Sequence, residues 1–175
     1  MIRRALIHFL ARFRRARKPT GYELPEITSP FAEQERYFVA THRMSGAKVD
    51  YTAQSIAYVE QVAHKLLQWH PAETEEGEEV ALTEDEWRQQ ADRFVTMCGS
   101  YIGSVTIMTL GGRWHGDPTL RDEMIVEEVG GTEVSIAPFK VASERLLGNG
   151  GNLWRWYKNV KAEVERKGKA VSGFR

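Results

Sequence analysis

Nucleophiles, metal ligands and paired carboxylates are the groups that could give this chain a chemistry. Cys98 is the one thiol among 175 residues. A reactive cysteine needs a positive, partly exposed setting. Cys98 instead falls within an apolar helical stripe, with no histidine inside one turn, so it reads as a small core residue. The histidines are His8, His42, His64, His70 and His115. None has the i, i+4 partner or the Cys companion of a zinc site. His64 and His70 fall on different faces of a helix, so no metal is expected. Glu123, Glu127, Glu128 and Glu133 could serve as an acid–base pair if one carboxyl were buried and its protonation shifted. Otherwise they decorate the wet face of a small sheet. The glycines at 148, 150 and 151 precede no Lys-Ser/Thr pair and follow no strand, so they form no phosphate loop and no cofactor site. No catalytic residue emerges, and the chain leans away from an enzyme. A hydrolytic site gathered only by folding is the reading left open.

Charge is more informative. Lys+Arg and Asp+Glu each total 24. Residues 1–18 contain Arg3, Arg4, Arg12, Arg14, Arg15, Arg17 and Lys18 and no acid, which leaves the other 157 residues with 17 bases and 24 acids. Eight of those acids lie between Glu73 and Glu86 with no base among them. Segregation of this kind concerns partners rather than fold. In the arm, Ile2, Leu6, Phe9, Leu10 and Phe13 recur at helical spacing, with arginines on the remaining faces. A basic amphipathic helix can meet an anionic membrane or an acidic partner, address an organelle, or pack on its own domain. The acidic segment, with Glu75, Glu76, Glu78 and Glu79 at its centre, can mimic phosphate and plug a basic site, or simply be a solvated loop. Leu153–Lys158 interleaves aromatics and bases as a single-strand reader would. The acidic remainder opposes phosphate binding, so nucleic acid is an unlikely partner. Trp114 and Trp154 are the candidate apolar anchors for a protein partner.

The elements that position these groups follow from pattern. The length fits one domain with an arm. The 42% hydrophobic and 27% charged content excludes a wholly disordered chain. Residues 1–18 form the arm, 19–30 a linker with three prolines, 31–167 a single domain, and 168–175 a fraying tail. Ser29 and Pro30 start a helix over Glu33–Arg43. Asp50 is the expected cap of a second, whose face is Ile56, Val59, Val62, Ala63, Leu66 and Trp69, ended by Pro71. Thr83 and Glu86 make a capping box for a third. Its stripe runs Trp87, Ala91, Phe94, Cys98, Tyr101, Ile102, Val105 and Met108, with Gly99 and Gly103 beside it for close approach, a kink or a helix end. Gly111-Gly112 stops it. A short extended piece at Arg113–His115 comes next. Glu123–Val129 and Thr132–Ala137 then form a hairpin across Gly130-Gly131. Short and long helices follow at Phe139–Leu147 and Leu153–Arg166. This order gives an α+β domain.

Asp50-Tyr51-Thr52 with Ser55-Ile56 resembles the "D-Y-S-x-x-S-L" helix start of a family of small uncharacterised bacterial α+β proteins. Gly99-Ser-Tyr-Ile-Gly103 through Leu110-Gly-Gly-Arg-Trp114 is similar to that family's "G-x-Y-x-G-E-V…L-G-G-x-W", and Pro138–Leu146 with Leu153 and Tyr157 fits its closing helices. The resemblance spans roughly residues 48–165 and implies a helix–GG-x-W–hairpin–helix order. Ser104 stands where that family commonly has an acid, so no acidic role transfers to it. Some such proteins look like immunity proteins that bind and neutralise a toxin. The expectation is therefore a cytoplasmic, non-enzymatic protein-binding module. The alternative is a peripheral adaptor that docks on an anionic membrane through its basic arm.

Overall fold

A computed structural model describes residues 30–44, 46–68, 83–147 and 150–172. The arm, residues 19–29 of the linker, Trp69, Pro71 and the acidic residues 73–79 lie outside them. Among the described residues, five helices and a two-stranded antiparallel sheet make up an α+β fold with a helical N-terminal half and C-terminal helices. Helix α1 is Ala32–Met44, α2 Ser55–Leu67 and α3 Glu84–Leu110. Strands β1 (Arg113–His115) and β2 (Ile125–Glu127) follow, then α4 (Pro138–Leu146) and α5 (Leu153–Ser172).

Helix α3 is the axis. Its start is fixed by the reciprocal box: Glu86 N–H donates to Thr83 Oγ1 at 3.3 Å, and Thr83 N–H to a Glu86 carboxylate oxygen at 3.0 Å. Three acids in the first turn suit the helix dipole. The helix continues unbroken through Gly99 and Gly103, which serve close approach. A Cβ at Gly99 would lie 2.9 Å from Phe139 Cα, so α4 rests almost backbone to backbone on α3. At Gly103 the Trp114 ring occupies the missing side chain's place. Gly111 ends the helix in the left-handed region at φ 84°, its N–H bonded to Ile107 O at 2.8 Å. Along the stripe Trp87, Phe94, Cys98, Tyr101, Ile102 and Val105 are buried, but Met108 is 48% exposed. Ile107 and Leu110 on either side still pack against the core clusters, so Met108 lies on the outward side of the helix.

The core gathers Phe38, Val39, Ile56, Val59, Phe94, Tyr101, Phe139 and Leu153 from every helix. Helix α5 is seated by Glu60 of α2. Its carboxylate takes two-pronged bonds from Arg145, the shortest 2.6 Å, and accepts the Leu153 N–H at 2.8 Å. A second, smaller cluster of Val126, Val129, Val134, Ile136 and Val160 lies under the sheet.

Several local expectations change. The sheet pairs β1 with β2 in the register Arg113↔Glu127, Trp114↔Val126 and His115↔Ile125. The chain does reverse at Gly130-Gly131, but the return strand contributes a single bridge, Val126↔Ile136. The cause is a tight turn over Val129–Gly131: Glu128 (φ 54°), Gly130 (φ 65°) and Gly131 (φ 67°) are left-handed, and Val164 of α5 presses where a Gly130 side chain would stand. Asp50 does not cap α2. Its Oδ1 accepts from Thr52 N–H at 3.2 Å and from the Thr52 hydroxyl at 2.7 Å, closing the preceding turn. Pro138 opens α4 rather than merely ending a strand. Helix α5 runs past Gly168 to Ser172, where a fraying tail was expected.

Candidate functional site

One charged side chain is driven into the core, and it is the natural place to look for chemistry. Phe31, Glu35, Phe38 and His42 recur at i, i+4, i+7 and i+11, the inward stripe of α1. Glu35 is therefore only 1% exposed and His42 2%. Facing them, α3 offers Ser100 and Ser104 one turn apart, and both hydroxyls donate to the same Glu35 carboxylate oxygen at 2.8 Å. The Tyr51 phenol is buried nearby and feels the Glu35 charge.

From there the network runs outward. Tyr51 N–H donates to the Tyr101 hydroxyl at 3.0 Å. The Tyr101 and Ser55 hydroxyls meet at 2.6 Å, and Ser55 Oγ donates to Thr52 O at 2.6 Å. With Ser55 donating onward, the Tyr101 proton must point to Ser55. Tyr51 holds a left-handed backbone at φ 60°, unusual for a bulky residue and stabilised here by its main-chain bond to Tyr101 and the burial of its ring. On the far side, His42 Nδ1 meets the Tyr58 hydroxyl at 2.9 Å, and its ring lies 4.3 Å from that of Phe38.

Burial sets the electrostatics. It pushes the Tyr101 phenol up to about 12 and the Tyr51 phenol further, with Glu35's negative charge adding to the latter. The Cys98 thiol, fully buried, is also pushed well up, so it is an inert core residue as its stripe position implied. His42 is held down at about 4. At neutral pH the phenols and the thiol keep their protons and the imidazole is neutral. The arrangement can join α1, the Asp50–Gln54 turn, α2 and α3 into one unit. It offers no group to a solute without opening the core.

No protein-family model, curated protein or solved structure matches the chain. Its function must be argued from its own residues.

The carboxylates of the sheet region stay in solvent: Glu123, Glu128 and Glu133 are exposed and Glu127 half-buried. Arg113 pairs with Glu127 at 3.1 Å and Glu128 at 3.2 Å, surface contacts of little energetic weight. They are not the unequal pair that acid–base catalysis needs. His64 and His115 are exposed, and the described residues contain no cluster able to hold a metal ion. Trp114 and Trp154, the expected anchors, are both half-buried against the core. Trp114 lies over Gly103 with its ring 5.8 Å from Phe139. Trp154 stacks on Tyr157 at 5.9 Å, with Lys158 Nζ 5.7 Å from its ring. Only their outer edges remain for a partner. Glu75, Glu76, Glu78 and Glu79, and the arginines of residues 1–18, lie outside the described residues.

Sequence reasoning missed Glu35, Ser100 and Ser104. The inward stripe of α1 could have exposed the first, because an acid at an apolar position demands partners.

The His42 environment predicts a pH dependence. An unfolded chain binds a proton at 6.5 and the folded one only at about 4. Between those values the unfolded state holds more protons, so stability is complete above 6.5 and falls as pH drops toward 4. The limiting loss is about 3 kcal/mol. Urea midpoints measured from pH 7 to pH 4 should show this slope, and His42→Asn should flatten it. An unchanged slope in that variant would assign the dependence to other groups.

Proposed function

We propose that this chain is a non-enzymatic protein-binding module of the bacterial cytoplasm. In this reading it occludes a basic site on a partner, as an immunity protein does to a toxin. The observation that carries the reading is the run of eight acids from Glu73 to Glu86 without a single base. Its last three members stand on the capped first turn of α3, exposed to solvent, with buried Trp87 next to them pinning that turn to the core. Part of the acidic surface is thus presented from a rigid element, which lowers the ordering cost of binding. The buried polar groups meanwhile have a role in holding the helices together. Complementary charge would speed the encounter, and the outer edge of Trp154 or Trp114 would slow release.

The test is co-purification with the product of the neighbouring reading frame, followed by titration. A partner is expected whose affinity weakens at least about tenfold between 50 and 500 mM salt. Replacing Glu75, Glu76, Glu78 and Glu79 together by Gln should produce a similar loss at low salt. A partner indifferent to both would eliminate the acidic surface as its site.

A further inference from the structure

The last helix carries the opposite charge to the rest of the domain. Residues 19–152 contain 22 acids and 10 bases, whereas α5 has six bases and two acids. Leu153, Tyr157 and Val160 face the core. Arg155, Lys158, Lys161, Arg166 and Lys169 are all exposed. At 100° per residue they share an arc of roughly 140° opposite the buried side, a stripe about 20 Å long. The two acids on the helix temper it without cancelling it. Glu163 takes Arg166 at 2.6 Å, and Glu165 lies 3.9 Å from Lys161.

We propose that this face of α5 docks on an anionic lipid surface. A plane meets a straight stripe along its whole length while leaving the acidic faces of the domain in water. The excess of acids over bases in residues 19–152 opposes a longer polyanion that reached beyond the stripe. Half-buried Trp154, with Lys158 against its ring, sits at the edge of the stripe. An indole beside lysines is the chemistry of a headgroup interface. The basic arm, whose arginines alternate with Ile2, Leu6, Phe9, Leu10 and Phe13, supplies a second element of the same character.

Sedimentation of the full chain with phosphatidylcholine vesicles, with and without 30% phosphatidylserine, tests the idea. The chain should pellet only with the anionic vesicles and be released by 0.5 M salt. The variant R155Q/K158Q/K161Q/K169Q should keep its melting temperature and lose at least about tenfold in partitioning, since each base near such a surface contributes roughly fivefold. Deleting residues 1–18 should weaken binding but leave that Gln effect intact, which separates the α5 face from the arm. Three results would overturn the proposal: a full chain that stays in the supernatant, a Gln variant that binds as well as the parent, or equal retention on a DNA duplex at matched salt. None of them bears on the acidic-segment reading, whose titration uses a protein partner and no lipid.

Discussion

Glu35→Leu is expected to lower the unfolding free energy by about 3–5 kcal/mol, most of what a marginally stable domain can lose. Leucine fits the volume, but it strips the acceptor from Ser100 and Ser104 at once. Each orphaned buried hydroxyl costs roughly 1–3 kcal/mol, and some reorient toward helix carbonyls, which limits the total. Glu35→Gln keeps one acceptor oxygen and should cost only about 1 kcal/mol. The combination Glu35→Leu with Ser100→Ala and Ser104→Ala removes donors and acceptor together. It should recover much of the loss, because an apolar core can replace a polar one when no group is left unpaired. Urea denaturation of the four proteins gives the comparison. A single Glu35→Leu change with no loss of midpoint would mean that the carboxylate does not join the helices.

Gly99→Ala should be nearly as damaging, by about 3 kcal/mol. The new methyl would lie 2.9 Å from Phe139 Cα, and backbone cannot swing away as a side chain does. Helix α4 would have to shift, an overpacking cost that outweighs the helix-propensity gain of up to about 1 kcal/mol. Gly103→Ala is a different case, because the nearest atoms its methyl meets are side-chain ones, the Trp114 ring and Pro138 Cγ at 3.1 Å. Trimming the ring with Trp114→Leu should therefore rescue Gly103→Ala and leave Gly99→Ala uncorrected. Thermal melts of the single and double variants decide the matter. Equal rescue of both would show that the two glycines serve helix flexibility rather than distinct contacts.

These two sites show what was legible in the sequence. The capping box, the Gly111-Gly112 stop and the glycine pair could be read because each signal lies within a turn or two of its effect. The existence and order of the five helices followed from spacing, whereas the start of α2 and the end of α5 did not. The partners of Gly99 and Gly103 could not be read, since Phe139 and Trp114 arrive by tertiary packing. The hairpin was misjudged for a similar reason. Gly-Gly signals a tight turn, but Val164 from α5 and buried Val129 forced a more compact one and cut the return strand to a bridge. Asp50 followed a local competitor, the Thr52 hydroxyl, instead of the helix. Glu35 was overlooked because attention went to acids on the surface, although its place on the α1 stripe marked it as buried. Trp154 was expected as an apolar anchor for a partner, and it is half-buried, stacked on Tyr157. In α5 the basic outer face was hidden by the focus on Leu153–Lys158, although Arg166 and Lys169 complete it two turns later.

Binding without catalysis is the central claim, and the acidic run is its instrument. The most direct measurement is capture of the neighbouring gene's product on the immobilised full chain, in parallel with the Glu75, Glu76, Glu78, Glu79→Gln variant, at 50 and 500 mM salt. The account predicts a basic protein retained by the parent at low salt and lost both at high salt and from the variant. Retention of that protein equally by both chains at both salts would contradict it.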